Sequence, residues 1–178
     1  MAKQRVGKIK CFSQVQIVNP DGTLAGDSGV VGPNMITNLG IQQYLTAGIV
    51  GTLAGNSTLN VQYMALGSTD ATANASNCMP ASNATGFAAE IAGSTKRHSI
   101  TSAVLSSRAN VASSATQWIY GTFATANSFL TGAGAVLGGV ALFASSGAGG
   151  QIFCGNTFVG SACASNQQVN ITYQIQLG

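Results

Sequence analysis

Apolar and polar residues alternate with a period of two along much of this chain. In KIKCFSQVQIV (residues 8–18), Ile9, Cys11, Val15 and Ile17 share one face, while Lys8, Lys10, Gln14 and Gln16 share the other. Such alternation predicts a strand of an antiparallel sheet with one face buried and one wet. Asn19-Pro-Asp-Gly follows directly. Proline presets φ and glycine allows φ above zero, so this is a turn, and a return through Thr23 and Leu24 makes a hairpin. The chain closes on the same period, with Val169, Ile171, Tyr173, Ile175 and Leu177 alternating against polar partners. Further strands are predicted at VQYMALGS (61–68), KRHSITSAVLSS (96–107), TQWIYGTFAT (116–125), AVLGGVALF (135–143) and QIFCGNTFV (151–159). The last two flank the Gly-rich ASSGAGG and read as a second hairpin.

One stretch changes period. In PNMITNLGIQQYLTAGIVG, Ile41, Tyr44, Leu45 and Ile49 recur at helical spacing behind a capping Thr37 or Asn38. This predicts a short α-helix near residues 37–48, weakened by Gly40 and ended near Gly48 or Gly51. Thr69 to Gly86 is mostly Ala, Asn, Ser and Thr, and reads as a long loop. About eight regularly spaced strands and one helix predict an all-β, antiparallel β-sandwich. At 178 residues a single domain, 1–178, is expected, with only residues 1 to about 5 as a basic tail. The longest apolar tract, Gly132 to Phe143, is shorter than the ~20 residues of a membrane helix. No secretion signal is expected either, because Lys8, Lys10, Ser13, Gln14 and Gln16 interrupt any apolar run behind Lys3 and Arg5.

Charge sharpens this picture. Only 6% of residues are charged, against ~25% in an ordinary soluble domain, while 46% are hydrophobic. Disorder goes with the opposite combination. A surface of Ser, Thr, Asn and Gln repels its own copies weakly, which suits a protein packed against neighbours. Four of the seven cations, Lys3, Arg5, Lys8 and Lys10, lie in the first ten residues. The remainder holds Lys96, Arg97 and Arg108 against Asp21, Asp27, Asp70 and Glu90. A phosphate-tracking protein needs cations spread along one face, usually with stacking aromatics. Here Phe12 is the only aromatic near the cluster, which argues against a nucleic-acid binder.

Little in the chain carries covalent chemistry. The cysteines Cys11, Cys78, Cys154 and Cys163 form no CxxC pair and His98 is the single histidine, so no zinc site is expected. Cys154 and Cys163, read as lying on a strand and its following loop, allow a disulfide under oxidising conditions; cytosolic synthesis makes buried free thiols the default. GAGAVLGG lacks the strand–loop–helix setting and downstream acid of a dinucleotide loop, and no GK[ST] follows a Gly-rich stretch, so no cofactor is expected. A serine hydrolase would have to use His98, which sits beside Lys96 and Arg97. A glycosidase would need two facing carboxylates out of four acids. The chain therefore reads as a non-enzyme. Along TQWIYGTFAT, alternation divides the aromatics between faces; Trp118 is expected in the core and Phe123 in outward or interfacial packing.

The order of segments resembles a recurrent type of tailed-bacteriophage structural protein. PNMITNLGIQQYL is similar to an N-x-I-T-N-x-G run before a helix, and VQYMALGST to a Y-x-A-L-G-T-G strand. Glu90 with Arg97 matches an acid-plus-arginine segment, GGVALFASSGAGGQIFCGNTF a G-L-F strand with its Gly-rich hairpin, and VNITYQIQL a terminal strand. The likeness runs from about residue 32 to 178. Gly138 and Gly139 stand where the family carries a charged residue, and the loop around Cys78 is longer. The resemblance implies a virion protein, either head decoration (cement) or a tail or fibre component, often a jelly-roll-like sandwich that dimerises or trimerises. Its partners would be the major capsid protein or other virion proteins. The basic residues Lys3, Arg5, Lys8 and Lys10 are then expected to meet acidic shell surface or to join a neighbour's sheet.

Overall fold

The computed structural model describes residues 9–36, 61–68, 90–91, 97–100, 102–107, 115–123, 130, 134–144, 146 and 152–177. These form β1 (Ile9–Val18), β2 (Leu24–Asp27), β3 (Val31–Ile36), β4 (Tyr63–Ser68), β5 (His98–Ser99) and β6 (Ser102–Ser107). The chain continues with β7 (Ala115–Phe123), β8 (Ala135–Phe143), β9 (Ile152–Cys163) and β10 (Gln168–Leu177). Every pairing is antiparallel, and the described residues are all-β. The helix expected near 37–48 and the loop expected at 69–86 lie outside the described residues.

The strands follow the order β5-β4-β8-β9-β3-β1-β10-β7-β6, with β2 added beside β1. Pairing is nested. β1 lies against β10, β3 against β9, β4 against β8 and β6 against β7, so the first half of the chain is zipped to the second in reverse. The sheet also curls until its halves meet. Tyr173 on β10 donates its hydroxyl proton to the Val140 carbonyl on β8 at 2.9 Å. Asn156 on β9 donates to the Ser13 hydroxyl on β1 at 3.3 Å. A Cβ added to Gly121 on β7 would meet the Met64 sulfur of β4 at 2.5 Å.

The core between these faces is what the alternation demands. Cys11, Val15 and Ile17 from β1 join Met64, Leu66, Leu137, Val140, Leu142, Val169, Ile171 and Tyr173. Burying each such side chain contributes roughly 1.5–3 kcal/mol. β4, β8 and the first half of β9 are buried on both faces. Ala65, Ala141, Phe143 and Ile152 form a second cluster on their far side, which is why GGVALF reads as a continuous apolar run and does not alternate.

Several expectations are corrected. VGPNMI, to which the sequence assigned no element, is a strand, β3, paired to β1 through Cys11↔Asn34 and Ser13↔Val31 around a bulge. Pro33, which has no N–H to give, fits such a broken ladder. The stretch 96–107 is divided into β5 and β6. Phe123 is 1% exposed and belongs to the core, not the outer face. Cys163 lies on β9 itself and not in a following loop. Cys154 and Cys163 therefore sit at opposite ends of one extended strand and are free thiols. Nine strand residues span roughly 30 Å, far beyond the ~7 Å Cα separation that a disulfide tolerates. β1 is an interior strand flanked by β10 and β3, so Lys10 stands on the face of the sheet and not at an edge.

Candidate interaction surfaces

The NPDG turn closes as its residues require, with the Gly22 N–H donating to the Asn19 carbonyl at 2.9 Å and Gly22 at φ 84°. The resulting hairpin sets Gln16 opposite Asp27. Asp27 becomes a small hub: Gln14 and Gln16 each donate to its carboxylate at 2.9 Å, and the Gly29 N–H donates at 2.8 Å. Partial burial opposes the charge, yet these hydrogen bonds together hold the Asp27 carboxyl below its usual range. Asp21, at the turn, is held low by the Thr23 hydroxyl and N–H.

Beside this hub the sheet is open. β2 pairs only with β1 among the described residues, and β3 holds β9 only through Met35↔Gly155 and Ile36↔Cys154. Between β2 and the second half of β9 lies a cleft of about 530 Å³, lined by Asp27, Ser28, Val31, Thr157, Val159 and Ser161. Val159 is 91% exposed, and Val30 (63%) and Leu24 (55%) are exposed on the neighbouring strand ends.

The outer face of β1, β10 and β7 is a different surface. Register aligns Gln16, Asn170 and Thr122 in one row and Gln14, Thr172 and Tyr120 in the next. Phe12 and Gln174 follow, with the Trp118 backbone in register beside Gln174, then Lys10 and Gln176. Amides and hydroxyls pair along it: Thr122 and Gln168 both donate to the Asn170 oxygen, at 3.1 and 2.8 Å. Lys10 is the one charged residue among the described outward side chains of these strands.

The residues weighed for catalysis are engaged in structure. Arg97 grips Glu90 with both prongs, Nε to Oε1 at 2.7 Å and Nη2 to Oε2 at 3.0 Å. Its guanidinium also lies 3.5 Å above the Phe143 ring centroid. Glu90 in turn bridges to Gly67 at the end of β4. The His98 ring packs on Phe123 with centroids 4.5 Å apart. Asp70 lies outside the described residues. Among the described residues no three His, Cys, Asp or Glu gather as a metal site. Of the basic residues singled out from the sequence, Lys10 is exposed on β1, while Lys3, Arg5 and Lys8 lie outside the described residues.

Sequence reasoning missed the Asp27 hub and the cleft. Counting back across the NPDG turn would have missed the first by one residue, because Val18 pairs with Leu24 and a bulge between Ile17 and Val18 then shifts Asp27 opposite Gln16. Nothing local marks the second, because it forms where β3 leaves β9. Comparison of the chain with protein-family models, curated proteins and solved structures gives no match.

Proposed function

We propose that this chain is a non-enzymatic structural protein of a tailed-phage virion, a decoration (cement) protein that stabilises the head by bridging shell subunits. The observation that carries the reading is the charge-poor outer face of β1, β10 and β7, whose rows of amides and hydroxyls suit close packing against protein. Among the described residues, the two charges nearest the core, Glu90 and Arg97, are paired with each other. The fold is read as a β-sandwich of the jelly-roll-like kind, supported by the nested pairing of β1·β10, β3·β9, β4·β8 and β6·β7. Its layers depart from a regular jelly roll, in which the outermost pair shares a sheet with the third; here β1·β10 adjoins β6·β7.

A ligand that binds only the assembled lattice stabilises it by mass action, and linked contacts multiply the effect. The test is the copy number in purified particles. Copies in proportion to shell subunits, with heads that lose heat resistance when the protein is omitted, are expected. A few copies confined to the tail would replace decoration with a tail role, and absence from particles would overturn both.

A second reading, a tail or fibre module that binds host glycans, is favoured by the row Phe12–Gln174–Trp118 and the adjacent Tyr120, which set aromatic and amide positions side by side. It predicts saturable polysaccharide binding that is lost on Trp118→Ala or Tyr120→Ala.

A further inference from the structure

We propose that the cleft between β2 and β9 of one copy receives the basic N-terminal segment of a second copy. The inference goes beyond the proposed decoration role, since it concerns contact between copies of this chain.

Three features of the cleft point to an extended basic peptide. Its walls are strand edges without partners among the described residues, since β2 bonds only to β1 and the outer edge of β9 beyond Gly155 bonds to nothing. Unused N–H and C=O groups on such edges are a template for an added strand. Val159 on its wall is almost fully exposed, an apolar side chain that an added segment would cover. Its one charged wall residue is Asp27, held as a carboxylate by Gln14, Gln16 and Gly29. Asp21 stands at the nearby turn.

The chain itself supplies a matching peptide. Residues 1–8 read MAKQRVGK and carry Lys3, Arg5 and Lys8 around Val6. The chain's charge is thus split along β1, cations before its start and exposed carboxylates beyond its end. Geometry favours a neighbour over the same molecule. Ile9 opens β1, and Asp27 lies opposite Gln16, seven residues further along. That is roughly 24 Å of strand. Eight residues reach about 27 Å when fully extended, and reversing direction to come back along the sheet consumes part of that length. A second copy meets no such restriction. Reciprocal exchange closes a dimer and one-way exchange gives a ring or an open filament; the contact is the same in each case.

The test uses the purified full chain without particles, so failure of the virion reading leaves it intact. Sedimentation is measured at low and high salt for the native chain, for Val159→Lys, for Asp27→Lys, and for the triple variant Lys3→Glu, Arg5→Glu, Lys8→Glu. Native protein is expected to self-associate more weakly as salt rises, and each variant to weaken association about tenfold or more. Val159 is so exposed that its substitution leaves the fold intact, which guards against loss by unfolding. Mixing Asp27→Lys with the triple variant is expected to restore association through swapped charges. A monomeric native chain, or variants that associate as the native chain does, would overturn the proposal. So would a cysteine pair at positions 3 and 159 that cross-links within one molecule.

Discussion

Tyr173 shows how one residue ties the two halves of the sheet. Its ring fills the core and its hydroxyl reaches across to the Val140 carbonyl. Tyr173→Phe keeps the ring and removes the hydrogen bond, so a loss of about 1 kcal/mol is expected, read from the urea midpoint. Burial first, and the neighbouring Cys154 and Cys11 next, push the Tyr173 phenol well up. Burial likewise raises Cys154, with Cys11 adding to it, and pushes Cys163 to about 11. All three groups hold their protons more tightly when folded. The stability they contribute is complete below their ordinary values, ~8.5 for thiols and ~10 for tyrosine, and is lost as pH rises through the folded values. The urea midpoint should therefore hold steady between pH 6 and 8 (about the neutral range) and fall as solutions become strongly alkaline. A midpoint that rises with alkali would contradict this burial.

At the scale of elements, β7 comes close to β4 where position 121 has no side chain. A methyl group there meets the sulfur of a fully buried Met64. Gly121→Ala should cost about 1–3 kcal/mol by overpacking. In a Met64→Ala background the added cost should shrink, and a double-mutant cycle measures that coupling. Additive effects would mean that these strands do not face each other. The segments carrying Glu90 and Arg97 are fastened differently. Their ion pair is almost dry, with 9% and 1% of the side chains exposed. Removing one partner strands the other, so Arg97→Met should destabilise by about 3–5 kcal/mol. Replacing both by apolar residues should cost much less than the sum of the two single changes, as thermal or urea unfolding would show.

For the whole molecule, nested pairing makes the last strand indispensable. β10 lies between β1 and β7 and is bonded to both along its length. Ending the chain after residue 167 removes Val169, Ile171 and Tyr173 from the core and exposes two long edges at once. Such a chain is expected to lose its cooperative urea transition altogether. A truncated protein that still unfolds in one sharp step would show that the halves are independently stable. The same nesting makes the contacts long-range, with Ile9 against Leu177 as the extreme, and folding should be correspondingly slow for a chain of this size.

Local chemistry was enough to establish the strands with wet outer faces. A period-two pattern has one stable placement against a core, so β1 and β10 and their inward residues were legible directly. The NPDG hairpin followed from φ preferences alone. The all-β antiparallel class followed from the number and spacing of such segments. Three-dimensional packing decided the rest. β3 was hidden because its ladder is broken around Pro33, and no periodic signal survives a bulge. Phe123 was placed outward from TQWIYGTFAT, because alternation distinguishes two faces without saying which meets the core. Gly121 beneath Met64 settles that, and Met64 is far away in sequence. The charges of the N-terminal segment and of Asp27 were visible as composition. That β1 places them at opposite ends, with an open cleft beside the acid, depends on where β3 parts from β9, a distance no local pattern encodes.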